Sequence, residues 1–188
     1  LRSLVGLLPL IAVAHAPDWI TRELPDFVAR MRWLQRRRPD LTDALVTSHA
    51  EGQVVTSLAP LTADRAQALM TRLFDEGEFL GPHGIRSLSA AYRGGVTLDV
   101  AGVSMSVAYD PGESTTNLFG GNSNWRGPVW FPINVLLIDG LRGHATAAGG
   151  SAEVEYPTGS GSTRGLGEVA DDLEQRLVSL FRPGADGR

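Results

Sequence analysis

The chain is 188 residues long, 43% hydrophobic and 20% charged, with a formal net charge of −4 and a pI near 5.5. These values fit one ordinary globular domain, and the acidic balance excludes the concentrated basic surface with which nucleic-acid binders attract phosphate. The absence of cysteine excludes disulfides, thiolate zinc sites and a cysteine nucleophile, and no apolar run reaches the roughly 20 residues of a membrane span.

The opening LRSLVGLLPLIAVAHA is apolar over residues 4–13 and reads as a core helix. An early Arg2 and small residues near Ala14 and Ala16 also give it the layout of a secretory leader, so the expected location is cytoplasmic, or secreted if the stretch is a leader. Over residues 24–38, Leu24, Phe27, Val28, Met31 and Leu34 recur at helical spacing. Arg36, Arg37 and Arg38 then meet the negative end of the helix dipole before Pro39 stops it. Residues 41–61 have weak periodicity and read as an irregular connection. Thr62 stands where it would cap a helix whose apolar face is Ala66, Leu69, Met70 and Leu73.

A glycine- and proline-rich turn over residues 77–84 leads to residues 85–91, which read as a helical turn or short helix. Within them Arg86 suits either a sugar-hydroxyl or carboxylate contact at the mouth of a site, or a salt bridge tying the loop to the core. None of the four histidines pairs with another at metal spacing, so neither a metal nor another cofactor is expected, and His83 reads as an exposed or structural loop residue. Val96, Leu98 and Val100, then Val103, Met105, Val107 and Tyr109, alternate with polar residues around Ala101 and Gly102. This spacing predicts a β-hairpin with Met105 packed in the core.

The hairpin leads into residues 110–141, DPGESTTNLFGGNSNWRGPVWFPINVLLIDGL, where a polar loop joins an apolar helix. Gly120 and Gly121 permit sharp turns, while Asn122, Ser123, Asn124 and Arg126 supply hydrogen-bonding groups between Trp125 and Trp130 and just before them. Pro128 suits a first helical turn, and residues 129–141 are apolar on nearly every face. Sugars bind through flat aromatic faces and short polar side chains, and this loop offers both; the same residues equally suit core aromatics and turn hydrogen bonds. Asp110 and Glu113 stand beside the loop as partners for Arg126 or Arg86. Residues 149–165 contain PTGSGSTRG, which lacks the lysine and spacing of a P-loop and reads as a surface loop. Leu166, Val169, Ala170, Leu173, Leu177, Leu180 and Phe181 line one face of a closing amphipathic helix, and residues 182–188 read as a frayed tail.

GGNSNWRGPVWFPIN resembles the active-site loop and following helix of glycoside hydrolase family 63, the group of processing α-glucosidases and mannosylglycerate hydrolases. EFLGPHGIRSLS, residues 78–89, is similar to a segment that precedes this motif in the same proteins, and RSLVGLLPL and PTGSG also look like bacterial members. The resemblance covers most of the chain, although family members are far longer. It implies a mainly α fold: residues 1–188 as part of an (α/α)6 toroid, truncated at both ends and carrying one β-hairpin.

It also implies inverting hydrolysis of an α-linked glucoside or mannoside, in which a carboxylic acid protonates the leaving oxygen and an opposed carboxylate activates water. Aligning the motifs puts that acid before Leu1 and that base after Arg188, so the resemblance assigns no catalytic residue here. By motif position it carries over Gly121, Ser123, Asn124, Trp125 and Trp130 as sugar-subsite residues, with Arg126 and Arg86 beside them. Asn124 departs from the aromatic residue of some relatives. The expected partners are an oligosaccharide or small glycoside and the remainder of a longer parent chain, with neither nucleic acid nor membrane. The alternative is a noncatalytic carbohydrate-binding or helical interaction domain, complete at 188 residues.

Overall fold

Leu4, Leu7 and Leu10 recur at every third position, the period of a 3₁₀ helix, and in the computed structural model Leu4–Ile11 adopt that form with all three leucines buried. The structure describes residues 1–42, 45–50, 53–112 and 123–183. Strand β1 (Ala14–Ala16) and helices α1 (Asp18–Glu23), α2 (Pro25–Arg37) and α3 (Pro39–Thr42) follow. Helix α2 forms where its spacing predicts, but none of its residues is buried; Phe27, Val28 and Met31 line an open groove against Thr56 and Leu58.

The connection expected to be irregular is instead two strands, β2 (Leu45–Ala50) and β3 (Gln53–Leu58), which join β1 in an antiparallel sheet of order β1-β3-β2. LVTSHA and QVVTSL are rich in β-branched residues, but each mixes apolar and polar types at both odd and even positions, so the strand period does not show. Helix α4 (Ala63–Leu73) buries Ala66, Met70 and Leu73 as expected; Thr62 holds the N-cap position with extended backbone, yet its side chain makes no capping bond. Strands β4 (Leu80–Gly81) and β5 (Gly84–Ile85) form a two-residue-per-strand hairpin within the glycine- and proline-rich turn, and of residues 85–91, expected to be a helical turn or short helix, only the end is helical, in the 3₁₀ turn Ala90–Tyr92.

Strands β6 (Val96–Val100) and β7 (Val103–Val107) form the predicted hairpin. Ala101 at φ 51° and Gly102 at φ 80° give the paired left-handed conformation that a two-residue primed turn requires. The core role expected for Met105 does not hold: it is 37% exposed, and Val100 and Val103 are exposed too, because β6 and β7 form a two-stranded sheet of their own in which Val107, at the base, is the one buried residue.

Helix α5 (Phe131–Ala147), hairpin β8 (Glu153–Glu155) with β9 (Thr163–Gly165), and helix α6 (Leu166–Val178) complete the body. Leu137 and Leu141 of α5, Val169 and Leu173 of α6, Leu10, Leu73 and Ile85 form one core. Helix α5 starts three residues after Pro128, with Pro132 rather than Pro128 in its first turn. Leu180 and Phe181 leave the buried face because α6 gives way to a 3₁₀ turn, Ser179–Phe181. The glycine-rich loop between β8 and β9 lies at the surface but is anchored by Tyr156. That ring is buried edge-on to Phe74 at 5.3 Å, and its hydroxyl donates to Asp172; burial and this bond raise the phenol's pKa.

The contact of α5 with the N-terminal 3₁₀ helix depends on Gly140. A methyl group there would lie 2.5 Å from the Leu10 carbonyl oxygen and 2.9 Å from Ile11 Cα, both backbone atoms that cannot rotate away. In an exposed helix Gly→Ala gains about 1 kcal/mol. Here Gly140→Ala is expected to lose about 1–3 kcal/mol net through overpacking, read as a lower unfolding midpoint in urea. A midpoint at or above that of the parent would show that the two elements can separate freely.

Candidate functional site

Burying a polar group is costly unless it is hydrogen-bonded, so buried polar residues show where a chain holds its shape by specific contacts. Ser57, Glu78, Arg86, Ser87, Ser89, Arg126 and Asn134 are buried, and all but Ser57 fall within residues 78–89 or 126–134. These are the two blocks that carry the sequence motifs, and the fold lays one against the other.

Arg86, only 8% exposed, donates through Nη1 to the carbonyls of Glu76 at 2.9 Å and Leu80 at 2.6 Å, which closes the 76–80 turn. Its backbone forms a β-bridge with Val129. Ser87 N–H donates to the Pro128 carbonyl and Ser87 Oγ accepts from Gly127 N–H, each at 3.0 Å. From the first turn of α5, Asn134 accepts from Ile85 N–H at 2.6 Å and donates to the Ile85 carbonyl at 3.0 Å. On the opposite side Asp110 N–H donates to the Arg126 carbonyl at 2.6 Å, and the Asp110 carboxylate lies 3.6 Å from Arg126 Nη1. Residues 126–130 are thus held along both edges.

This frame carries the two tryptophans. Trp125 leaves a 3₁₀ turn, Ser123–Arg126, and is 41% exposed, while Trp130 is partly buried and packed on the core. Their rings meet edge to face, with centroids 4.6 Å apart at 75°. The Trp130 indole N–H is buried and has no hydrogen-bond partner among the described residues. One indole therefore props the other, and Trp125 presents an apolar face with polar backbone beside it.

Of the residues singled out by sequence, Trp125, Arg126 and Trp130 come together in this feature. Arg86 is one bridge away, with Nη1 directed to backbone carbonyls. Ser123 and Asn124 lie in the same 3₁₀ turn and are described by backbone alone, and Gly121 and Glu113 lie outside the described residues. Asp110 does pair with Arg126, one of the partnerships its position allowed.

Glu78, 5% exposed, accepts from Arg2 Nε and Arg72 Nη1, each at 2.9 Å, and from the Ser89 hydroxyl. Burial works against its ionisation, but the hydrogen bonds from Ser89 and Arg2 and the charges of Arg2 and Arg72 outweigh it and lower the carboxyl pKa. Asp110 and Glu78 are therefore each ion-paired with arginine. His83 bonds to Ser179 Oγ at 2.8 Å, and among the described residues no group of three His, Asp or Glu is placed to hold a metal ion.

Residues 42–186 match the family model of the mannosylglycerate hydrolase MGH1-like glycoside hydrolase domain. The chain belongs to that family. An uncharacterized protein of Saccharomyces cerevisiae, YMR196W, is 40% identical to this MGH1-like domain over 190 residues, covering 100% of the chain and 18% of the yeast protein. The domain thus spans less than a fifth of the length of that relative. No solved structure matches it.

Sequence reasoning missed Ser87, Ser89, Asn134 and Glu78, which hold the frame of the MGH1-like domain. One signal was available: Asn134 is the only hydrogen-bonding side chain between Trp130 and Ile138, and a lone amide in an apolar helix needs a specific partner.

Proposed function

We propose that the chain supplies a sugar-binding wall to an inverting glycoside hydrolase of family 63, acting on an α-linked glucoside or mannoside. Its helices would form part of an (α/α)6 toroid. The observation that carries this reading is the half-exposed Trp125, propped edge-on by Trp130 on a loop fixed along both edges by buried hydrogen bonds. A rigid aromatic face beside short polar groups is what the C–H surface and hydroxyls of a pyranose require. Gly121, Ser123, Asn124, Arg126 and Trp130 belong to this wall, and Arg86 supports it from behind. Membership of a glycoside hydrolase family gives the wall a substrate class. The catalytic acid and base lie outside the chain, in keeping with the arginine pairing of Asp110 and Glu78. That pairing also favours a second reading, a noncatalytic carbohydrate-binding module with the same wall.

The test is titration of the chain with methyl α-D-glucopyranoside and methyl α-D-mannopyranoside, followed by tryptophan fluorescence. Trp125→Ala removes the platform and is expected to weaken binding by about 1–3 kcal/mol, roughly ten- to hundredfold, with little change in thermal unfolding. Binding that survives the substitution would remove the wall from this loop. A fall in unfolding temperature with unchanged affinity would make Trp125 a packing residue.

A further inference from the structure

We propose that Tyr109 is a positioning residue for the Trp125–Trp130 wall, a role that rests on the sugar-binding reading: its ring, flanked by two guanidinium groups, is the template on which the Gly127 backbone lies. Tyr109 follows the end of β7 by two residues, and its N–H donates to the Tyr92 carbonyl at 2.9 Å. The ring rests flush on Gly127, where a methyl group would lie 2.4 Å from Tyr109 Cε2 and 2.6 Å from Cδ2. Gly127 also has φ 130°, which side-chain-bearing residues rarely adopt, so both the contact and the conformation require glycine. The guanidinium carbons of buried Arg86 and exposed Arg93 lie 5.9 and 5.4 Å from the ring centroid, within cation–π range.

Ser87 and the Arg86–Val129 bridge hold one edge of residues 126–130, and Asp110 holds the other through the Arg126 carbonyl. Tyr109 fills the remaining side, against the backbone itself. Trp125 stands two residues before Gly127 and Trp130 three after it, so the place of the ring sets the place of both indoles. A small shift of a binding group costs affinity without breaking any contact to the ligand.

The experiment follows the four tryptophan indole N–H signals of the ¹⁵N-labelled chain, with Trp125→Phe and Trp130→Phe used for assignment. Tyr109→Ala is expected to move the Trp125 and Trp130 signals and leave those of Trp19 and Trp33 in place. It should also weaken methyl α-glycoside binding by about three- to tenfold, and Tyr109→Phe, which keeps the ring, should restore both readouts. If Tyr109→Ala does not fold, the exposed substitution Arg93→Gln is expected to move the same two signals by a smaller amount. Stationary Trp125 and Trp130 signals in the folded variant would overturn the proposal. Moving signals in a chain whose parent binds neither glycoside would leave the positioning role standing and remove the sugar-binding reading.

Discussion

Arg2→Met combined with Arg72→Met is expected to lower the unfolding free energy at neutral pH by about 1–3 kcal/mol, the cost of stranding a buried carboxylate whose charged partners are themselves half exposed and screened by water. It should also invert the stability contribution that Glu78 makes as pH changes. In the parent, Glu78 has a lowered pKa: burial opposes its ionisation, and Ser89, Arg2 and Arg72 overcome that opposition. A carboxyl that is more acidic folded than unfolded stabilises above the unfolded value of about 4.3, and that contribution is lost as pH falls through the folded value. Without the two arginines, burial dominates over the remaining Ser89 hydrogen bond, and the pKa rises above the unfolded value. The Glu78 contribution then becomes a penalty that grows as pH rises from the unfolded to the folded value. Arg2 and Arg72 keep 47% and 56% of their side chains exposed, so removing them opens no core cavity and the effect reads the charge. Urea unfolding of parent and variant across the acidic range measures it. A double variant that keeps the parent's pH slope would show that water reaches Glu78 in the folded chain.

How much of this was legible in the sequence depends on whether each residue's partners are near it in the chain. The β6–β7 hairpin could be read because the strand period and the Ala101–Gly102 turn are both local, and α4 could be read from its face of Ala66, Met70 and Leu73. Residues 84–90 could not. All seven are buried, polar and apolar alike, so no one-sided period exists, and beside their local bonds they are tied to Arg2, Leu4, Gly127, Pro128 and Asn134, all far away in the chain. The same reason hides the frame of the candidate site. Trp125 and Trp130 were visible because aromatics beside short polar residues in a glycine-broken loop stand out, and because they fall in the motif GGNSNWRGPVWFPIN. Ser87, Asn134 and Tyr109 acquire their roles only when residues 40 or more apart, or the far edge of the loop, are brought together.

Asn134→Ala is the substitution expected to separate the two motif blocks. The side-chain amide of Asn134, 1% exposed, does for Ile85 what an adjacent strand would do, accepting its N–H at 2.6 Å and donating to its carbonyl at 3.0 Å; it also donates to the Trp130 carbonyl at 2.9 Å. Ile85 is fully buried, so its N–H and carbonyl have no water to replace the amide. Each stranded group costs about 1–3 kcal/mol, which gives a loss of about 3–5 kcal/mol once the small cavity is included. Asn134→Asp keeps the acceptor for Ile85 N–H but sets a buried charge against two carbonyl oxygens, and is expected to be no better than alanine. Because the Arg86–Val129 bridge lies next to this contact, the loss should also reach the wall. At temperatures where the variant is still folded, the Trp125 and Trp130 indole signals should broaden or shift before those of Trp19 and Trp33 do. A loss below about 1 kcal/mol, with all four signals unchanged, would mean that Ile85 finds other partners and that Asn134 does not join the blocks.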